Sequence, residues 1–390
     1  MLNNRTSVLV IFVAVYFLFF DTHFQMPILA PFAHSLGSTP FMIGLVVGAY
    51  SLFNVLGNLT SGYLIDARGW KIPLFVGTFL VSLSLFAYAY AFSPVTLFVI
   101  RSFHGLAGGL VIPATLAFLV QTPFRAGTES LSKRMSFYGV AIGLASLTGP
   151  PLAGVLASQY DYQSTYLVVA FIMVIPVLLV ILLMKEKTFT SSRTASLKTN
   201  YSNVMRSTVL KTAFGLVFVL MGCTGTLISF FPGKVEELGA NPAVTGALFT
   251  AFAATAVIVH LVWPALAKRF NLWNSILVGF SLLMLSMVAL HVLNLIMALA
   301  FALVGYGVGF GLLLPALLEL VAKGSRPENK GLASGFFFMF FSLGVAVIPP
   351  FAGLLHQSIA NISPFVAAVS LALLFWIPIA WRVKQAIQEA

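Results

Sequence analysis

Charged residues are scarce in this chain. Asp, Glu, Lys and Arg make up 8% of its 390 residues, against about 25% in an average soluble domain. Hydrophobic residues make up 59%, and the mean hydropathy is +1.01. A soluble fold of this length cannot bury so much apolar surface and still present a polar exterior. The composition therefore excludes a soluble globular protein and favours a protein whose solvent is lipid.

Cysteine and several common catalytic motifs are also missing. The single cysteine, Cys223, excludes an intramolecular disulfide, and its apolar surroundings favour a packing role. The sequence contains no G-x-x-x-x-G-K-[ST] phosphate loop, no H-E-x-x-H and no C-x-x-C. We therefore expect neither ATP as an energy source nor a bound metal or other cofactor. No nucleophile–base spacing indicates an enzyme.

Long apolar runs alternate with short polar segments. Each run has roughly 20–27 residues, enough for an α-helix to cross about 30 Å of hydrocarbon. The pattern predicts an all-α membrane protein with twelve transmembrane helices, at residues 6–29, 40–64, 73–92, 95–121, 134–157, 164–184, 209–231, 242–266, 273–292, 295–321, 331–355 and 362–382. The segment 185–208, rich in Ser, Thr, Lys and Arg, is predicted to be a cytoplasmic linker between halves at 1–184 and 209–390.

The basic residues predict the orientation. With the N-terminus in the cytoplasm, 19 of the 21 Lys and Arg residues fall on the cytoplasmic side, while Lys234 falls in an outer loop and Arg101 within a span. Lys and Arg flank membrane helices mainly on the cytoplasmic side. We therefore expect a multi-pass protein of the cell membrane, monomeric, with both termini in the cytoplasm. The same bias explains the net charge of +11 without nucleic-acid binding, and the short loops suggest a prokaryotic membrane.

Two motifs recur, in order, in the two halves. The pattern G-x3-G-x3-P-A begins at Gly105 in the fourth span and again at Gly307 in the tenth, and P-P-x-A-G begins at Pro150 in the fifth and again at Pro349 in the eleventh. These matches predict a duplicated six-helix unit with both copies in the same orientation. Parallel repeats of this kind place a substrate site between the halves. Small residues also permit close helix packing and Pro bends helices, so the motifs have a structural as well as a gating interpretation.

The loop between the second and third spans resembles a family signature. It reads Gly62-Tyr63-Leu64-Ile65-Asp66-Ala67-Arg68-Gly69-Trp70-Lys71-Ile72-Pro73-Leu74 and is similar to the G-x-L-x-D-R-x-G-R-K-x-x-L of the major facilitator superfamily. Ala67 and Trp70 replace the two arginines of that signature. The fifth span is similar to the glycine-proline motif of drug/proton antiporters, which are exporters, at Gly139, Gly143, Gly149, Pro150 and Gly154. The resemblance covers the whole chain and implies the major facilitator fold of two six-helix bundles.

The resemblance also implies a conformational latch, formed by Gly62, Asp66, Arg68, Gly69 and Lys71. In the family, the aspartate faces the start of the eleventh span and holds the halves together on the cytoplasmic side. The free N–H groups of a helix start stabilise a carboxylate placed there. The alternative is an ordinary loop carboxylate paired with Arg68 or Lys71.

Asp21 and Arg101 stand out because they lie inside apolar spans, where an unpaired charge is costly. They lie at similar depth in the first and fourth spans, which line the cavity of the N-terminal half in the family. We predict that Asp21 is the protonation site, because loss of water favours the neutral form of a carboxylate. Arg101 would couple to it directly or through substrate or water, and a structural ion pair is the alternative. Candidate cavity residues are Gln25, Asn54, Asn58, His23 and His104, although hydrogen-bonded packing is an alternative for a histidine.

These patterns together predict a secondary transporter that exports small molecules in exchange for protons by alternating access, similar to the drug/proton antiporters. Its expected partners are the substrate, protons and the bilayer. A dedicated exporter of one zwitterionic metabolite, such as a metallophore, stays open because it would use Asp21, Arg101 and the histidines together. An importer, a membrane enzyme and a non-transporting scaffold fit the patterns less well.

Overall fold

The computed structural model describes residues 4–121, 131–183, 204–326, 329–359 and 362–374. Regular structure within these ranges is α-helical, which confirms the predicted fold class. In chain order the helices are α1 Asn4–Phe24, α2 Leu29–Ser35, α3 Pro40–Arg68, α4 Lys71–Tyr88, α5 Pro94–Gln121, α6 Leu131–Gln159, α7 Tyr162–Ile172, α8 Val174–Leu183, α9 Thr208–Glu237, α10 Pro242–Arg269, α11 Leu272–Val292, α12 Ile296–Gly324, α13 Lys330–Ser358 and α14 Pro364–Leu374.

The helices agree with the predicted membrane spans. Within the described residues, ten spans are long and apolar enough to cross a membrane, with α7 and α8 together forming one of them at Tyr162–Ile181. The bent pair α1 and α2 adds an eleventh. Helix α14 covers the first part of the predicted twelfth span, and the remainder of that span lies outside the described residues.

The first span was predicted as one helix at residues 6–29, but α1 ends at Phe24 and a second, unpredicted helix, α2, follows at an angle. The axes of Phe12–Phe24 and Leu29–Ser35 meet at 44°. Pro27 lies in the break, and because proline has no backbone N–H it interrupts the helical hydrogen-bond ladder. The N–H groups of Ile28 and Leu29 both donate to the carbonyl oxygen of Gln25, at 3.3 and 3.0 Å. The chain therefore changes direction just after residues 21–25.

Helix packing follows the predicted duplication. Helix α1 packs on α6 and α4 on α5, and in the second half α9 packs on α13 and α11 on α12. A Cβ added at Gly105 would overlap the carbonyl oxygen of Tyr50, and a Cβ at Gly307 would lie 2.7 Å from that of Phe252. Residues 202 positions apart thus make the same contact, as the predicted duplication requires.

Glycines with positive φ mark the turns. Gly37 and Gly239, also 202 positions apart, have φ of +83° and +76°. Gly69, between α3 and α4, has φ +81°, and its N–H donates to the carbonyl of Ile65 at 2.9 Å. This left-handed conformation favours glycine. It explains why the signature loop needs a glycine where α3 turns into α4 within two residues.

The described residues cluster into two compact units. The first unit draws on Met1–Gly37, Ala49–Arg193 and Asn241–Ala247, and the second on Ser38–Gly48, Thr194–Ala240 and Leu248–Ala390. Each unit takes in a few residues from the beginning of one long helix that otherwise belongs to the other. The predicted halves at 1–184 and 209–390 stay a proposal, and residues 185–203 of the predicted linker lie outside the described residues.

The close glycine contacts generate a stability prediction. We expect Gly105→Ala and Gly307→Ala each to destabilise the protein by about 1–3 kcal/mol, because the new methyl group meets backbone that cannot move aside. The control is Gly139→Ala, where an added Cβ has nothing within 4 Å. Thermal unfolding of the purified proteins in detergent measures the difference. Equal melting temperatures for all three variants would contradict the close packing.

Candidate functional site

The carboxylate of Asp21 is buried and has a hydrogen-bond partner on each oxygen. Asp21 lies near the C-terminal end of α1 and is 1% exposed. Its Oδ2 is 2.9 Å from Nε2 of His104, and its Oδ1 accepts a hydrogen bond of 2.8 Å from the amide nitrogen of Gln25. A buried carboxylate is costly unless it is hydrogen-bonded or paired. Here two side chains that are neutral in their ordinary forms supply those bonds.

Arg101 reaches the same cluster through Gln25. The guanidinium, 6% exposed, donates from Nη1 to Oε1 of Gln25 at 2.6 Å. Among the described residues, no carboxylate forms an ion pair with Arg101. The sequence predicted that Asp21 and Arg101 couple directly or through substrate or water. The structure shows that the amide of Gln25 lies between them instead.

Tyr88 closes the cluster into a ring. Its hydroxyl lies 3.4 Å from Nη1 of Arg101 and 3.2 Å from Nδ1 of His104. A hydroxyl that accepts from the guanidinium is free to donate to Nδ1, and with that bond a neutral imidazole carries its proton on Nε2, facing Asp21. We call Asp21, Gln25, Arg101, Tyr88 and His104 the polar ring.

Aromatic side chains surround the polar ring. The guanidinium carbon of Arg101 lies 4.6 Å from the ring centroid of Tyr50, a cation–π contact. Tyr50 also meets His104 edge-on at 5.1 Å, and Tyr166 from α7 stacks on Tyr88 with centroids 4.5 Å apart. These three tyrosines were not predicted, because a tyrosine within an apolar run is usually a packing or interface residue.

Other predicted cavity residues lie outside the polar ring. Nδ1 of His23 is 2.7 Å from the carbonyl oxygen of Phe19, one turn back in α1. Asn58 donates to Asn54 at 2.8 Å, and Asn54 donates to the carbonyl of Gly105 at 3.4 Å. The two asparagines therefore link α3 to α5.

Where the structure describes their contacts, glycines of the antiporter-type motif in α6 allow close helix packing. A Cβ at Gly149 would lie 2.9 Å from the backbone nitrogen of Phe24, and one at Gly154 would overlap the carbonyl oxygen of Pro242. The carbonyl of Gly143 accepts a hydrogen bond from Ser146, whereas Gly139 is open to its surroundings. Gly149 thus brings α6 against the end of α1 that carries Asp21.

The predicted latch residues lie at the end of α3 and the start of α4. Asp66 and Arg68 are exposed in the last turn of α3, and Lys71 lies over the ring of the buried Trp70 at 5.8 Å. The role of this loop in joining the halves stays a prediction.

The second unit carries a neutral counterpart of the ring. Thr224 and Tyr306 lie 203 and 202 positions after Asp21 and His104, and their hydroxyl oxygens are 2.9 Å apart. Phe252, 202 positions after Tyr50, meets Tyr306 edge-on at 5.6 Å, as Tyr50 meets His104. Aligning the two halves at this offset would have revealed these pairs from the sequence.

The chain is similar to known membrane transporters in sequence and in fold. The model of the Major Facilitator Superfamily matches residues 11–349 and 212–388. Multidrug resistance protein 1 of Bacillus subtilis (strain 168) is 23% identical over 346 residues, covering 87% of each chain. Quinolone resistance protein NorA of Staphylococcus aureus (strain MRSA252) is 22% identical over 364 residues, covering 90% of each. A solved peptide transporter, POT, has a TM-score of 0.81 at 12% identity and covers 100% of this chain and 99% of its own.

Gln25 is expected to stabilise the ring. Gln25→Ala removes one hydrogen-bond partner from Asp21 and one from Arg101, both buried, so we expect a loss of about 1–3 kcal/mol for each group left unsatisfied. Gln159→Ala, at an exposed helix end, is the control. The measurement is again the thermal unfolding of both variants in detergent, and an unchanged melting temperature for Gln25→Ala would show that the ring does not support the fold.

Proposed function

This chain belongs to the Major Facilitator Superfamily, and we propose that it exports small molecules across the membrane in exchange for protons. The two resistance proteins to which it is similar over most of its length support an export direction. The proposed exporter is a monomer of the cell membrane with both termini in the cytoplasm, as the distribution of Lys and Arg suggests. The energy source is the proton gradient.

The observation that carries the proposal is the setting of Asp21. Among the residues that the structure describes, Asp21 is the only buried acidic side chain. A direct bidentate contact with arginine would hold a carboxylate in its ionised form. Because the Gln25 amide lies between the two side chains, the positive charge of Arg101 stays near the Asp21 carboxylate without forming an ion pair with it. Such a carboxylate can take up and release a proton.

The polar ring also provides a route by which the proton affects its surroundings. A proton placed on Oδ2 of Asp21 would make that oxygen a donor to Nε2 of His104, and the imidazole, with its own proton on Nδ1, would then donate to the Tyr88 hydroxyl. In an alternating-access cycle, substrate and proton would compete for this carboxylate, one bound in each direction of transport. We place the conformational latch at the Asp66 loop.

Substrate breadth separates two versions of the proposal. A multidrug exporter accepts several unrelated lipophilic cations, whereas a dedicated exporter accepts one zwitterionic metabolite. The buried pairing of a carboxylate with a guanidinium through Gln25 favours a substrate that carries both charges.

The decisive test replaces the carboxylate without disturbing its shape. We expect Asp21→Asn to abolish substrate-driven proton flux, since an amide does not bind a proton at neutral pH, while it can still hydrogen-bond to Gln25 and His104. Proteoliposomes with a trapped pH dye report the flux over a panel of lipophilic cations and zwitterionic metabolites. Asp161→Asn is the control, because Asp161 is an exposed helix cap that accepts from the N–H of Ser164 and asparagine can do the same. Transport against a gradient by folded Asp21→Asn would refute the assignment.

A further inference from the structure

Two buried hydrogen-bond donors beside the polar ring have no acceptor among the described residues. They are Nε of Arg101 and the hydroxyl of Tyr166. Both flank Tyr88, since Tyr166 stacks on its ring and Arg101 reaches its hydroxyl. Buried donors in proteins are nearly always paired, and a charged donor left unpaired is especially costly. Each of these two donors is therefore suited to an oxygen acceptor that no described residue supplies.

The charge of Arg101 points to the kind of acceptor. Its two hydrogen-bond partners, the Gln25 amide oxygen and the Tyr88 hydroxyl, are both neutral, and the face of Tyr50 supplies only a weak partial charge. The guanidinium therefore has positive charge and donors available for an anion, and its planar shape matches a carboxylate.

Asp21 has acceptor capacity left for a cation. An ionised carboxylate offers about four lone-pair positions. His104 and Gln25 use one each, on different oxygens. An ammonium group can therefore bind Asp21 without breaking the ring, and its positive charge then takes the place of the proton.

The side-chain amide of Gln25 shows the separation between a donor for Asp21 and an acceptor for Arg101 that such a ligand needs. Its amide turns a nitrogen donor toward Asp21 at 2.8 Å and an oxygen acceptor toward Arg101 at 2.6 Å. The donor and acceptor are separated by one carbon atom. An α-amino carboxylate presents the same polarity over a similar distance, with a full charge at each end.

We propose that the exported substrate is an amphiphilic zwitterion whose carboxylate binds Nε of Arg101 and the hydroxyl of Tyr166, and whose neighbouring ammonium group binds Asp21 in place of the proton. The inference rests on the proposed function, because it names the substrate class of the same site. Among its described residues the second unit buries no charged side chain, and it has the neutral pair Thr224–Tyr306 at the equivalent position. The charged groups of the substrate are therefore recognised in the first unit.

The charge balance distinguishes this substrate from a lipophilic cation. When one proton enters and one zwitterion leaves, one positive charge moves inward, whereas exchange of one proton for one monovalent cation moves none. At zero pH gradient, a membrane potential of about 60 mV, negative on the cytoplasmic side, should therefore hold the zwitterion roughly tenfold more concentrated outside than inside. The same potential should leave a transported monovalent cation without a gradient.

The binding test uses matched probes. They are phenylalanine and leucine, their amides, which keep only the ammonium group, and their deaminated acids, which keep only the carboxylate. Thermal stabilisation of the purified protein measures binding. We expect the zwitterions to bind at least tenfold more tightly than either partial analogue, and Tyr166→Phe to weaken the zwitterions and the acids about tenfold or more while leaving the amides unchanged.

The control is Tyr160→Phe, which alters an exposed tyrosine and should change no affinity. Arg101→Lys should also weaken zwitterion binding, and Arg269→Lys at an exposed site is its control. If Arg101→Lys does not fold, Tyr166→Phe still tests the inference. The inference would be overturned if no zwitterion bound. It would also be overturned if the amides bound as tightly as the zwitterions and Tyr166→Phe had no effect. In either case bound water would be the partner of the two donors.

The outcomes separate this inference from the proposed function. Proton flux driven by cations, lost in Asp21→Asn but unaffected by Tyr166→Phe, would keep the exporter and overturn the zwitterion. Zwitterion binding that depends on Tyr166, combined with proton-driven transport that survives Asp21→Asn, would keep the binding site and overturn Asp21 as the proton carrier.

Discussion

Inside the hydrocarbon of a bilayer there is no water to bond with a buried polar group, so each such group must be satisfied by the protein itself. In this chain the constraint explains the backbone, which is helical in the described spans apart from short breaks such as that at residues 25–28. It also explains the polar ring, in which Asp21 and Arg101 are accommodated by bonds to Gln25, His104 and Tyr88. Helix α1 supplies Asp21, the turn that follows it supplies Gln25, and α5 supplies Arg101 and His104, so the position of α1 relative to α5 is fixed by charge as well as by packing.

Duplication gives the two units the same packing but different chemistry. Glycines at equivalent positions bring equivalent helices together, as Gly105 does at Tyr50 and Gly307 at Phe252. The ionisable pair Asp21–His104 in the first unit is replaced by the hydroxyl pair Thr224–Tyr306 in the second. A neutral pair fills the same space without the cost of a buried charge. The buried charge of the described residues is therefore confined to one copy of the repeat.

The sequence was sufficient for the helical membrane architecture because hydrophobic length and repeated glycine spacing are properties of the chain alone. It also singled out Asp21 and Arg101, since both are charged residues inside apolar runs. It did not reveal that Gln25 separates them or that His104 pairs with Asp21, because those contacts depend on how each helix is rotated about its axis. An apolar run carries little information about rotation. The tyrosines were missed for the same reason.

The break in the first span was also missed, although Pro27 marks it, and it bears directly on the site. Gln25 is the first residue of the break, and its carbonyl accepts from both Ile28 and Leu29 on the far side. Its side chain meanwhile joins Asp21 to Arg101. Gln25 is thus the direct bridge between these two charges, beside the longer path through His104 and Tyr88. The ring and the bend therefore share one residue, whose backbone belongs to the bend and whose side chain belongs to the ring.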